Sequence, residues 1–228
     1  MSRRLVDLSH PIIAGMSTYP GLPGPEIETF ISREESADRL APGVSFHIGR
    51  ICMIANTGTY LDAPFHFFSS GADTAGLPLE RLVDLRTVVV DARTDIRVDA
   101  DRLRGLPDVA GAAVLVRTDW SRHWGTSQYA DGSPHLSRDA VQWLIDAGVA
   151  LVGIDALNID DVNDIARPAH VGLLGSGIPI IEHMTNLQAL PVEGARLTAV
   201  PPPVVGMGTM PVRAVATITS EAVAAGRS

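Results

Sequence analysis

Three apolar runs in the middle of the chain, TVVVDA (87–92), AAVLVRT (112–118) and ALVGID (150–155), are continuous and end in polar residues. Strands buried on both faces read this way, because neither side of the pleat meets water. Between the second and third runs, LSRDAVQWLIDAG (136–148) carries a helical period. Ser137 is placed to cap it and Asp139 stands in its first turn. Val141, Leu144 and Ile145 share a face, and Gly148 stops it. A strand, a capped helix and a second buried strand predict a βαβ crossover. Elsewhere the period is two, or broken. EIETFIS (26–32) alternates as a half-buried strand would. LVDLSH (5–10) predicts a short strand, and SFHIGRICMIAN (45–56) a long one running into a polar segment. IPIIE (178–182), ARLTAVPP (195–202) and PVRAVATIT (211–219) predict further strands. PIIAGMSTYPGLPGPE (11–26) reads as a loop and GMGTMP (206–211) as a turn, on their Gly and Pro content. The pattern is that of a mixed α/β chain with few helices. Its polar residues collect where strands end, the usual place for a site in such sheets.

Composition narrows this picture. The chain has 228 residues, 46% of them hydrophobic, enough for one sizeable core and a single domain over 1–228. PPP at 201–203 reads as a rigid turn, because the 25 residues after it are too few for another domain. No apolar run approaches the roughly 18 residues of a membrane span. The start MSRRLVDLSHP lacks a long apolar stretch and predicts a mature cytoplasmic protein. The lone Cys52 rules out an internal disulfide framework. Among Ile51, Met53 and Ile54 it reads as a small buried hydrophobe rather than a nucleophile. A net charge of −8 without a cationic cluster disfavours nucleic acid and anionic membranes, leaving a small molecule as the expected partner.

Candidate chemistry concentrates in a few islands. In NTGTYLDAPFH (56–66), Asp62 and His66 are four apart with Pro64 between them. Pro64 prevents a regular helix, so the pair belongs on a strand end or tight turn, with Gly58 allowing a close backbone approach. In RPAHVGLLGSGIPIIEHMTNL (167–187), His170 follows a Pro and Glu182 ends an apolar strand. A buried carboxylate there needs a cation, a metal or a proton. DALNIDDVNDIA (155–166) carries Asp155, Asp160, Asp161 and Asp164 and reads mostly as a solvated loop, with Asp155 placed to face a pocket. RTDWSRHWGT (117–126) offers Trp120, His123 and Trp124, either as an aromatic pocket or as packing, and Tyr19 is a similar case. No GxSxG, P-loop, GxGxxG or HExxH pattern competes.

Together, DLSHPI with YPG, NTGTYLDAPFH, RTDWSRHWGT, the 134–160 segment, PAHVGLLGSGIPIIEHMTNLQALP and the closing strand resemble the cyclase family that includes bacterial kynurenine formamidase and isatin hydrolase. That family's central motif reads His-x-Gly-Thr-His-x-Asp-x-Pro-x-His. Asn56 and Tyr60 stand here in place of its first two histidines. The resemblance implies an α/β, swivelling β/β/α fold and a homodimer or homotetramer. It implies a hydrolase of a formamide, cyclic amide or lactone of an aromatic or other small acid, as in the arylformamidase step of tryptophan catabolism. It further implies His66 as general acid/base and Asp62, His170 and Glu182 as ligands of a divalent metal. In a metal-free member Tyr60 would donate to the oxyanion, and Tyr19, Trp120 and Trp124 are the candidate substrate contacts. An amide oxygen and a phenol of pKa about 10 are poor substitutes for imidazole on Zn²⁺. At most one ion is therefore expected, Zn²⁺, Mn²⁺ or Fe²⁺. A metal-free hydrolase and a silent small-molecule-binding protein are the alternatives. The second is opposed by four costly polar groups persisting together.

Overall fold

The computed structural model describes residues 3–219; Met1, Ser2 and residues 220–228, which the single-domain reading includes, lie outside the described residues. In chain order the strands are β1 (Arg3–Asp7), β2 (Glu26–Ile31), β3 (Ile48–Cys52), β4 (Tyr60–Asp62), β5 (Leu85–Asp91), β6 (Arg97–Val98), β7 (Ala113–Arg117), β8 (His135–Leu136), β9 (Leu151–Ile154), β10 (Ile180–Glu182), β11 (Ala195–Thr198), β12 (Thr209–Pro211) and β13 (Val215–Thr219). The helices are α1 (Arg33–Ala37), α2 (Ala100–Leu103), α3 (Arg138–Asp146) and α4 (Pro168–Gly175). Nine strands form one mixed sheet in the order β1-β13-β11-β5-β7-β9-β10-β4-β12.

The three apolar runs are its parallel centre, β5, β7 and β9, joined by β10. In β7 the pleat sends Val114 and Val116 into one core cluster and Ala113 and Leu115 into the other. The first cluster is roofed by the helices through Leu103, Val141, Leu144 and Leu173. The second joins Leu61, Leu197 and Ala216 from distant strands, so the sheet curls around it. The predicted crossover is present. The Ser137 hydroxyl accepts from the Ala140 N–H and opens α3. Fully buried Leu144 secures that helix by about 2 kcal/mol of transfer free energy.

Several elements differ from expectation. EIETFIS does form β2, but it pairs only with β3 in a separate two-stranded ribbon whose apolar side chains are exposed. Among the described residues no layer packs on that ribbon, so Cys52 at its end is exposed rather than buried. The strand from 45–56 is cut to Ile48–Cys52. The chain turns at Gly58, where φ is +68° and the amide donates to the Thr18 hydroxyl at 2.8 Å. GMGTMP is not only a turn, because its last three residues are β12. RPAHVGLLG supplies α4. No helix among the described residues is long and apolar enough to cross a membrane.

Candidate active site

β4 is short, but it has a neighbour on each side. Its antiparallel register with β10 sets Tyr60 opposite Glu182 and Asp62 opposite Ile180. Its register with β12 sets Thr209 opposite Asp62. Two apart on a strand, Tyr60 and Asp62 face the same way. The Tyr60 hydroxyl donates to Glu182 Oε2 at 2.7 Å, and the Ile159 N–H donates to Oε1 at 2.7 Å. The Thr209 hydroxyl donates to Asp62 Oδ1. Asp62 Oδ2 is buried and has no hydrogen-bond partner among the described residues.

One turn after β4, Pro64–His66 form a single 3₁₀ turn, as the Pro in this segment requires. It carries the His66 ring to the mouth of the cavity, with Nε2 3.8 Å from Asp62 Oδ1 and the side chain 31% exposed. Gly208 allows this approach: a Cβ there would lie 2.6 Å from the backbone N and Cα of His66.

His170 enters from the first turn of α4. Asp160 accepts from the amides of Ala169 (2.6 Å) and His170 (3.1 Å), and also binds His170 Nδ1 at 2.7 Å. That fixes the ring and turns Nε2 toward Asp62 Oδ2 and Glu182 Oε1, each 3.7 Å away. Burial pulls the His170 pKa down, but the Asp160, Asp62 and Glu182 carboxylates outweigh it and raise it to about 10. At neutral pH the ring is therefore an imidazolium inside an acidic cage. Burial pushes Glu182 upward, and burial with the neighbouring acids pushes Tyr60 well above the usual phenol range. The Tyr60 hydroxyl is thus a neutral donor.

These side chains line a cavity of about 240 Å³ shared with Tyr19, Leu22, Asn56, Phe67, Asn158 and Arg167. The structure thus brings together His66, Tyr60, His170, Glu182, Asn56 and Tyr19, with Asp62 directly behind. The tryptophans lie elsewhere. Trp120 is buried and its indole donates to the Tyr129 carbonyl at 2.9 Å, so it takes the packing alternative. Trp124 stacks on His10 and lines a second cavity of about 560 Å³ with Met16, Thr18 and Tyr129. Asp155 lines neither cavity. It accepts from Thr118 and from the Asp119 amide, pinning the loop after β7. His183, directly after Glu182, was not singled out in the sequence. It holds φ 55°, with Nε2 3.2 Å from the Tyr60 hydroxyl and Nδ1 2.9 Å from that of Tyr129. Burial lowers its pKa to about 3 and keeps it neutral. Asp160 and Thr209 were also passed over, the first as a loop acid and the second as part of a turn.

The donor set fits a divalent ion. Asp62, His66 and His170 each offer one ligand atom, all within 4.8 Å of one another. Glu182 Oε1 adds a second carboxylate beside His170. One or two carboxylates with imidazole suit Zn²⁺, Mn²⁺ or Fe²⁺, and the unpartnered Asp62 Oδ2 is the atom such an ion would satisfy.

The chain as a whole is similar to known proteins. The Cyclase family model matches residues 6–161. The kynurenine formamidase of Salinibacter ruber is 31% identical over 212 residues, covering 92% of this chain and 96% of that protein. The kynurenine formamidase of Bacillus cereus is 28% identical over 216 residues, covering 92% and 95%. Among solved structures, isatin hydrolase A from Ralstonia solanacearum superposes with a TM-score of 0.80 at 26% identity, covering 95% of this chain and 92% of that one.

Proposed function

Because this chain belongs to the Cyclase family, we propose that it hydrolyses the C–N bond of a formamide or cyclic amide carried by a small aromatic ring. One observation carries the reading. His66, His170 and Glu182 line one cavity with Asp62 within 4 Å of both histidines; the four come from three separate segments, and all but His66 are buried. The names of the relatives, a formamidase and a hydrolase of isatin, point to the same acyl–nitrogen bond.

In this reading His66 Nε2 takes a proton from the attacking water as it adds to the carbonyl. It returns that proton to the nitrogen as the C–N bond breaks, leaving an amine and a carboxylate. Its partial exposure at the mouth lets it exchange protons with solvent between turnovers. Tyr19, Leu22 and Phe67 offer the apolar walls for the ring. Asp62, His170 and Glu182 would hold a divalent ion, which when bound polarises the carbonyl and acidifies water. Without it, the His170 imidazolium supplies positive charge in the same place. Tyr60 has one proton and gives it to Glu182. In this reading it acts by holding that carboxylate.

The mutual 4.8 Å grouping of Asp62, His66 and His170 favours a second reading, in which His66 is itself a ligand. Metal analysis of protein purified without chelators, beside its His66→Ala variant, separates the two. Retained metal with turnover of an aryl formamide lost supports the acid/base role. Metal lost along with turnover supports the ligand role. Wild-type protein that turns over no aryl formamide or cyclic amide contradicts both and leaves a silent binding protein.

A further inference from the structure

We infer that the substrate carries a carboxylate, held by the Arg167 guanidinium beside Asn158 at the wall of the cavity. The inference rests on the proposed reading of that cavity as the reaction site, and it narrows the substrate to an anionic one-ring aromatic amide.

Among the described residues Arg167 is the only arginine lining the cavity, where it stands with Asn158, Tyr19 and His66. Eight arginines have a carboxylate within 4 Å: Arg86, Arg93, Arg97, Arg102, Arg104, Arg117, Arg196 and Arg213 are ion-paired on the surface or at loop ends. Among the described residues, Arg167 has none within 4 Å. Its protein contacts are long: Nη1 to Asn158 Oδ1 and to the Asp161 carbonyl at 3.4 Å each, and Nη2 to the Val162 carbonyl at 3.3 Å. A guanidinium has five N–H donors, so Nε–H and one Nη2–H are left without a protein acceptor. A planar fork with free donors beside an apolar wall is the geometry that receives a carboxylate.

The backbone gives a second, independent sign. Residue 167 holds φ 46° and ψ 55°. That left-handed conformation is unfavourable for a side chain with a Cβ, and it falls directly before Pro168. A glycine would sit there without strain, but the chain places an arginine there. Strain of this kind persists where the surroundings require the side chain it aims.

Charge explains why the arginine is needed. The inner end of the cavity is acidic, with Asp62, Glu182 and, behind His170, Asp160. The α4 amides that could have received an anion, those of Ala169 and His170, are already bonded to Asp160. The His170 imidazolium is enclosed by Asp62, Asp160 and Glu182, which leaves Arg167 as the cationic side chain of the lining that is free to pair with an anionic substrate. Anchored there, it turns its uncharged acyl end toward His66. A cavity of about 240 Å³ leaves room for little beyond one ring with its two substituents.

The test uses two probes of nearly equal shape, 2-formamidobenzoate and its neutral counterpart 2-formamidobenzamide. Their binding is measured by titration calorimetry on His66→Ala protein, so that turnover does not intervene. The charged probe should bind at least about tenfold tighter, as one charge-assisted bidentate contact allows. Arg167→Met should bring the two probes to within about twofold, and so should Asn158→Asp, which gives the guanidinium an internal carboxylate instead. If Arg167→Met does not fold, Asn158→Asp decides. Equal binding of the two probes, no binding of the charged one, or discrimination that survives both substitutions overturns the proposal. Turnover by the protein with His66 intact is followed in parallel. Aryl formamides hydrolysed without discrimination remove the anion site alone. Discrimination without any hydrolysis supports the anion site and removes the hydrolase reading.

Discussion

At residue 160 one carboxylate receives two backbone amides at the start of α4 and fixes Nδ1 of His170. Against burial, and together with Asp62 and Glu182, this raises the imidazole from an ordinary 6.5 to about 10. A group whose folded pKa is raised contributes stability that is complete below pH 6.5 and is lost as pH rises through about 10. Asp160→Asn keeps the shape and removes the charge. It should cost about 3 kcal/mol at pH 7, as breaking a buried pair does, and flatten the fall in stability between pH 6.5 and 10. Urea midpoints across that range, with chelator present, check both effects; an unchanged slope would contradict the role given to Asp160. Asp62, His66, His170 and Glu182 stood out in the sequence as polar residues in apolar or Pro-bound stretches, but only the family resemblance grouped them into one site. Asp160 did not, because it is one of four acids in a polar loop and only its burial sets it apart. Arg167 was hidden for the same reason, since nothing in the local sequence shows that a guanidinium will lack a partner.

Among the elements, β5, β7, β9 and α3 were legible because they are long enough to carry a period or a cap. β4 and β12, three residues each, are too short to show one, and β12 begins directly after Gly208. α4 starts on Pro168, which the first helical position tolerates, and its residues are mostly apolar or glycine, so no polar face announces a helix. These unread elements are the ones that place the site: β12 bonds Asp62, and α4 carries His170. The contact of Gly208 with His66 makes this testable. Gly208→Ala forces its Cβ against the His66 backbone. It should destabilise the fold by about 1–3 kcal/mol, the usual cost of overpacking, and lower kcat as His66 shifts. Chemical denaturation and steady-state rates check this, and a variant unchanged in both would show that the close approach does not position His66.

For the whole molecule, the β2–β3 ribbon is the feature that one chain leaves unfinished. Ile27 (48%), Phe30 (65%) and Ile51 (49%) are exposed on it, and a two-stranded ribbon in water is marginal alone. Glu28 pairs in register with Arg50, so the ribbon carries both charges side by side and suits packing against its own copy about a two-fold axis. The protein is expected to be a dimer through this ribbon, and Phe30→Glu with Ile27→Glu should render it monomeric by light scattering; a wild-type monomer at micromolar concentration would remove the expectation. The central claim concerns the cavity, and kcat/KM of His66→Ala on an aryl formamide that the wild-type protein hydrolyses tests it most directly. The account predicts a loss on the order of 10²–10⁴-fold with thermal stability unchanged; turnover equal to that of the wild-type protein would contradict it.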